Sequence, residues 1–346
     1  MIEYKILVKD GSGNNLGEFE TYRSLQFGKR LNNYGECTFE VPANDEKLTS
    51  LIALRVYTVW IYRNGDLFWA GEQATREGVL NERGGNWVTI HCFDWLEQLN
   101  SRYTVAEKEY TFTDAGLIAW DLINTTQADT NGNLGITKGT VDETTPRDRI
   151  YYNQNVMEAI ISLANMTDGF DFEINTSKIF NVSSMIGIDR SDSIILEYGI
   201  NMKTCRITED FSKPSTRAIV LGTTSASSDQ IRTETDDAGA QATYGLREFV
   251  YNEMEVCEPE TLVSRGEAVN RQNNAPLIKI GFDLVRKTTP TIADFALGDI
   301  IRLIIKNGVY NIDDSFRVYE WQVVYNSDNT ETLSLVLGNF ILLGGS

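Results

Sequence analysis

The sequence predicts a mainly β protein with an α+β insertion, and three observations carry that expectation. Apolar and polar residues alternate with period two towards both ends of the chain, Gly/Asn/Asp clusters punctuate those runs, and only the middle switches to a helical period. The segment SLQFGKRLNNYGECTFEV, from Ser24 to Val41, sets the pattern: it leaves a polar hairpin, passes a Gly turn and enters an alternating strand. A related grammar returns after residue 295 as a Gly-Asp turn between strands. At 346 residues the chain is too long for one ordinary core and suits two or three domains.

In order, MIEYKILVKD and LGEFETYRS are strands joined by the turn GSGNN. CTFEVPA, RVYTVWIYR and LFWAGEQATREGVL follow, the last two split by Asn64-Gly65-Asp66, a strong hairpin signal. GGNWVTIHCFDWLEQL closes the unit, its alternation turning near Phe93 into a short helix, so residues 1–104 read as a barrel or sandwich of short antiparallel strands.

Residues 105–204 read as α+β. Thr113-Asp114 caps a helix through DAGLIAWDLINTTQA, a Gly/Asn loop follows, and NQNVMEAIISLANMTD is a second helix ended by Gly169. FDFEIN and KIFNVSS then form a hairpin. The β pattern resumes in CRITEDFSKPSTRAIVLGT, breaks over 225–275 into a polar segment and a helix from Pro259, and returns from Ala275. LIKIGFDLV, DIIRLIIK, YNIDDSFRVYEWQVVYN and TETLSLVLGNF are strands linked by Leu297-Gly298-Asp299, Asn307-Gly308 and Asn326-Ser327-Asp328-Asn329. The strand before residue 225 lacks a local partner and is expected to join this later set. Residues 205–224 and 276–346 then form a second barrel interrupted by a small subdomain at 225–275.

Composition narrows the function. A hydrophobic fraction of 42% and a charged fraction of 23% are those of a globular protein, and no apolar run reaches the ~18 residues of a membrane helix. The charged start MIEYKILVKDG is unlike a signal peptide, which points to folding in a cytoplasm. Cys37, Cys92, Cys205 and Cys257 are far apart and read as reduced thiols, because a zinc site needs closely spaced ligand pairs. The net charge of −18, from 31 basic and 49 acidic residues, ill suits a protein that grips phosphates.

No constellation of catalytic residues emerges, and no catalytic, cofactor-binding or metal residues are assigned. The single histidine, His91, sits on a strand with no nucleophile beside it. Asp129, Asn131 and Asn133 imitate a calcium loop, but Leu134 stands where the turn glycine belongs and Thr140 where the bidentate glutamate belongs. Asp236-Asp237 and Glu258/Glu260 are acid pairs on paper, yet adjacent acids on a strand point to opposite faces. Two rival functions remain open: a β-rich polysaccharide-degrading enzyme using such acids, and a carbohydrate-binding adhesin presenting Trp60, Trp69 or Trp321 as a stacking platform.

SLQFGKRLNNYGECTFEVPAND, VYTVWIYRNGDLFWAGEQ and VTIHCFDWLEQLNSR, with ITEDFSKPSTRAIVLG, TYGLREFVY, FALGDIIRLII and FRVYEWQVVYNSDNTETLSLVLG, resemble the baseplate hub, or tail-associated protein, at the tip of long-tailed bacteriophages. The resemblance spans the chain through patterned rather than invariant motifs. It implies a trimer whose two barrels per subunit, each like the tail-tube subunit, make a pseudo-sixfold ring. That ring closes the tube and adapts it to threefold symmetry. Implied partners are two further copies of the chain, a distal tail or tube protein above, a central fibre or spike below, a tape-measure protein in the lumen, and DNA that passes without specific binding. The implied location is the virion tail tip, assembled in the host cytoplasm. Because the sequence stops at Gly344-Gly345-Ser346, cell-wall digestion and receptor binding are expected from other chains. A trimer would carry three times −18, and acidic residues are expected to outnumber basic ones on the channel wall.

Overall fold

The computed structural model describes residues 2–338 except 80–81, 83–84, 167, 225–229, 254–255, 257, 285–289 and 326–330. Cys257, the turn Asn326–Asn329 and the C-terminal Gly-Gly-Ser therefore lie outside the described residues.

The N-terminal strands are β1 (Tyr4–Lys9), β2 (Asn15–Phe19), β3 (Arg23–Arg30), β4 (Glu36–Pro42), β5 (Thr58–Arg63), β6 (Asp66–Val79) and β7 (Trp87–Asp94), with a one-turn helix α1 (Leu48–Leu51) before β5. Asn64 and Gly65 have φ of 50° and 95°, so a two-residue turn of the primed type joins β5 to β6, matching the strands' twist. A 3-10 helix, Trp95–Ser101, follows, with Asp94 accepting from the Leu96 N–H at its start.

The middle of the chain packs α2 (Ala115–Gln127) and α3 (Val156–Ala164) on a ribbon of β8 (Lys108–Asp114) with β10 (Pro146–Tyr151) and a small sheet of β9 (Thr137–Val141), β11 (Asp171–Ile174) and β12 (Ile179–Ser183). Asp114 and Asn155 cap the two helices through the Leu117 and Glu158 N–H groups. Their apolar stripes, Ile118, Leu122, Val156, Ile160 and Leu163, meet Phe172 and Phe180 in a core of their own.

The C-terminal part has β13 (Ile195–Glu197), β14 (Met202–Asp210), β15 (Arg217–Thr224), β16 (Gln230–Asp236), α4 (Ala238–Tyr244), β17 (Glu248–Asn252), α5 (Pro259–Asn273), β18 (Leu277–Leu284), β19 (Ile300–Asn307), β20 (Tyr310–Tyr325) and β21 (Glu331–Gly338). Two sequence expectations are corrected here. The strand before residue 225, β15, does not join the later strands: it is the centre of a separate sheet, antiparallel to β16 and parallel to β17, under α5. Its buried residues Ala218 and Val220 face the small core of Val220, Val256 and Leu262, a local destination that alternation alone does not announce. Within the expected α+β region, β13 instead lies parallel to β19.

The larger correction concerns the barrels. Among the described residues no sheet closes on itself; the strands of both halves lie in one open sheet, β14-β18-β21-β20-β3-β4-β7-β6-β5-β1-β2, over one continuous apolar core. The physical cause is the length of β20: its first half pairs with β19, and its second half has an edge left over, which β3 takes.

The halves are nonetheless built alike. In each, a long strand pairs with its hairpin partner over its first half and with the next strand over its second: β6 with β5 then β7, and β20 with β19 then β21. Each long strand carries a bulge against the next strand, at Ala74 and at Tyr319, and beyond it Thr75 faces His91 as Glu320 faces Val336; β6 has a further bulge at Phe68 against β5. Extending the correspondence across the ladders matches Cys37 of β4 to Ile280 of β18 and Phe27 of β3 to Ile207 of β14. The counterpart of β3 and β4 is thus β14 and β18, separated by the inserted sheet, rather than the strands after residue 295.

Candidate functional site

The feature that organises the molecule is the seam between β3 and β20. Six residue pairs run antiparallel from Glu320 opposite Arg30 to Tyr325 opposite Leu25, and the Leu31 N–H donates to the Tyr319 carbonyl at 2.8 Å. On the core side, Phe27 meets Trp321 edge-on at 5.9 Å, and Tyr4 meets both Phe27 and Tyr325, at 5.6 and 4.8 Å. Tyr4 also donates its hydroxyl to Glu331, which Arg63 holds with Nε at 2.8 Å, so β1 and β5 of the first half clasp β21 of the second. Burial, then the Glu331 charge, holds the Tyr4 phenol well above the ordinary tyrosine range.

Two glycines let the strands approach. A Cβ on Gly28 would lie 2.5 Å from the Trp321 carbonyl oxygen, and one on Gly35 would lie 2.2 Å from the Gly28 carbonyl oxygen, which also accepts the indole N–H of Trp69. A polar dent of about 40 Å³ lies over them, lined by Gln26, Arg30, Glu36, Thr38, Glu320 and Gln322 among others.

One buried group ties three parts of the chain to this seam. Asp171 of β11 pairs with Arg317 of β20, their side chains only 3% and 4% exposed, and accepts from Asn32 Nδ2 at 2.9 Å and the Ile186 N–H at 2.8 Å. Asn32 belongs to the β3–β4 loop and its side-chain Oδ1 also accepts the Phe172 N–H. The ion pair is fully hydrogen-bonded, the condition under which burying two charges is tolerable. A second buried pair, Arg265 with Glu253 at 2.8 Å, docks the inserted sheet on α3 through the Asn165 carbonyl and the Ser162 hydroxyl.

Opposite the core, one largely polar face runs across the seam, with Val324, Val336 and Phe93 among its residues. From β14 to β7 it presents Thr204, Arg206, Thr208, Ser334, Gln322, Glu320, Gln26, Arg30, Glu36, Thr38, Glu40, Thr89 and His91. Arg30 stands between Glu36 and Glu320, 3.3 Å from each, and Arg23 contacts Glu40 at 2.6 Å. The arginines beside the seam are therefore already held by carboxylates, and there the face offers hydroxyls, amides and neutralised charge rather than cations for phosphate; Arg206, further out on β14, is exposed.

The residues weighed from the sequence are scattered. His91 Nε2 is 3.1 Å from the Thr38 hydroxyl on the neighbouring strand. Asp236 binds Arg217 while Asp237 caps α4 and accepts from Asn274, so the two acids diverge. Glu258 precedes α5 and Glu260 sits exposed in its first turn. Asp129 lies 3.8 Å from Arg102 in a turn closed by the Gly132 N–H. Trp69 and Trp321 are buried, and Lys9 lies 3.6 Å over the Trp60 ring, so these indoles form no exposed platform. Cys37 and Cys92 are free and face each other across β4 and β7, and Cys205 is free and half-buried. Sequence reasoning missed Arg317, Asp171 and Asn32; a buried arginine in FRVYEW and an aspartate in FDFEIN were the available signals.

Comparison with known proteins agrees with this architecture. Residues 189–342 match the family model described as prophage endopeptidase tail, and residues 4–124 match that of the siphovirus ReqiPepy6 Gp37-like protein. No curated protein shows a significant sequence match. The fold is similar to a tail protein from Neisseria meningitidis MC58 (TM-score 0.68, 13% identity, 97% of each chain covered). It is similar too to the 43 kDa tail protein of prophage MuSo2 from Shewanella oneidensis (TM-score 0.66, 11% identity, 96% of this chain and 98% of that one). A third likeness is to an Escherichia coli component of the type VI secretion system, described as similar to the T4 phage tail proteins gp27 and gp5 (TM-score 0.54, 8% identity, 94% of this chain and 75% of that one). The expected likeness to phage tail proteins holds in both halves of the chain.

Proposed function

We propose that this phage tail-associated protein is the hub of a tail tip: three copies form a ring, six β modules around one bore, joining a sixfold tube to a threefold fibre or spike. The observation that carries the reading is the repeated strand pattern within one chain, joined edge to edge by the β3–β20 seam with a single polar face passing over both repeats. A chain holding two like modules lets three subunits imitate six, which is what a symmetry adaptor requires. The bore wall in this reading is the polar face. DNA slides past it because the arginines beside the seam, Arg23 and Arg30, are engaged by Glu36, Glu40 and Glu320, leaving little there to neutralise phosphates.

The tail-protein likenesses and the divergent placement of the candidate acids support a structural rather than a catalytic role, although one matching family is described as an endopeptidase tail. The distal tail or tube protein, the fibre or spike, and a tape-measure protein in the lumen are the partners this role calls for, and the virion tail tip is its place. The test is the mass of the isolated particle in solution with a low-resolution image. Three subunits around an open hole are expected; a particle that stays monomeric as concentration rises, or that assembles without a hole, overturns the proposal.

A further inference from the structure

The repeat predicts a second seam. Within the chain, the free half-edge of β20 is taken by β3; its counterpart in the first half, the stretch of β6 beyond Ala74, pairs among the described residues with β7 on one edge only. The counterpart of β3 is β14, which among the described residues pairs with β18 on one edge only. Both edges are antiparallel-competent: Thr75, Arg76, Glu77, Gly78 and Val79 are all exposed, as are Arg206, Thr208 and Glu209. Cys205 and Ile207 are half-buried although their counterparts Leu25 and Phe27 are fully buried, so β14 lacks the cover that the internal seam gives β3. Long exposed edges of this kind are pairing templates.

We infer that β6 of one copy pairs antiparallel with β14 of the next, in the register of the internal seam. This rests on the ring reading and names its subunit contact. Transferring the pairs Glu320–Arg30 through Val324–Gln26 places Thr75 opposite Asp210, Arg76 opposite Glu209, Glu77 opposite Thr208, Gly78 opposite Ile207 and Val79 opposite Arg206, the second residue of each pair belonging to the neighbouring copy. One pair in this register is directly complementary: Arg76 meets Glu209, while Glu77, opposite Thr208, has Arg206 and Asp210 as its two diagonal neighbours on the polar face. Ile207 is covered by the backbone of Gly78, where no side chain obstructs it. The contact is heterologous, so it propagates in one direction, and in the ring reading it closes after three copies and carries the polar face from copy to copy.

The experiment is in-register cross-linking of the full chain. Opposed Cα atoms of an antiparallel pair lie about 4.5–5.5 Å apart, within disulfide reach. Glu77→Cys with Thr208→Cys, oxidised by glutathione disulfide with release of two glutathione thiols per bond, gives covalent trimers on non-reducing gels. The parental chain, with its native cysteines, and the offset pair Glu77→Cys with Asp210→Cys give none. Arg76→Glu weakens assembly about tenfold, and adding Glu209→Arg restores it. A trimer by mass with no in-register cross-link overturns this contact while leaving the ring; a chain monomeric at every concentration overturns both.

Discussion

Replacing Arg317 with methionine tests whether the three-way junction holds the seam in place. The guanidinium is 4% exposed and its partner Asp171 is 3% exposed, so neither charge has water to fall back on. Removing one member of a buried pair costs about 3–5 kcal/mol, because the remaining charge stays buried. Here Asn32 Nδ2 and the Ile186 N–H still donate to Asp171, whereas the carbonyls of Gly298 and Ile186 lose the donor they share. The lower end, about 3 kcal/mol, is the expectation. The assay is urea denaturation followed by tryptophan fluorescence, with Arg317→Met, Asp171→Asn and the double variant forming a cycle. The double variant is expected to cost less than the two single losses together, by about 1–3 kcal/mol of coupling. A loss below about 1 kcal/mol for Arg317→Met, or additivity of the two, would refute the assignment of Asp171 and Arg317 as the joint between modules.

Other expectations follow from the same geometry. Asp94 is raised from 3.8 to about 7 because burial outweighs the Lys29 charge and the Gly35 and Leu96 N–H groups, with Glu97 adding a little. A carboxyl raised on folding contributes stability that is complete below its unfolded pKa and is lost as pH rises through its folded one. Urea midpoints are therefore expected to fall between about pH 5 and pH 8, by an amount worth at most a few kcal/mol, and Asp94→Asn to flatten that slope; an unchanged slope counts against the assignment. Gly28→Ala forces a Cβ against the Trp321 carbonyl and is expected to destabilise by about 1–3 kcal/mol, whereas Gly281→Ala, whose nearest neighbour is 3.9 Å away, leaves the urea midpoint nearly unmoved. Glu36→Lys with Glu320→Lys frees Arg30 and turns the polar face cationic; fluorescence anisotropy is expected to show duplex DNA binding that weakens steeply with salt, absent in the parental protein.

Local chemistry was legible without the fold. Asn64-Gly65 specifies its turn because both positions need positive φ, Asp114 and Asn155 stand where a helix needs an acceptor, and period-two alternation marks Phe27, Phe39, Ile61 and Ile90 as core. Those signals act over a few residues, so they fixed which elements exist and which side of each is apolar. They are silent on partners. An alternating strand shows the same pattern whichever neighbour it has, so the sequence sent β15 to the wrong sheet, closed two barrels that are one open sheet, and matched the repeated halves through the wrong strands. Pairing of β3 with β20, nearly the whole chain apart, is decided by which edge remains unsatisfied after every hairpin has formed, and by whether Arg317 finds Asp171 beneath it. Only tertiary structure holds that information, because an unpaired edge is a property of the assembled sheet and of no single strand.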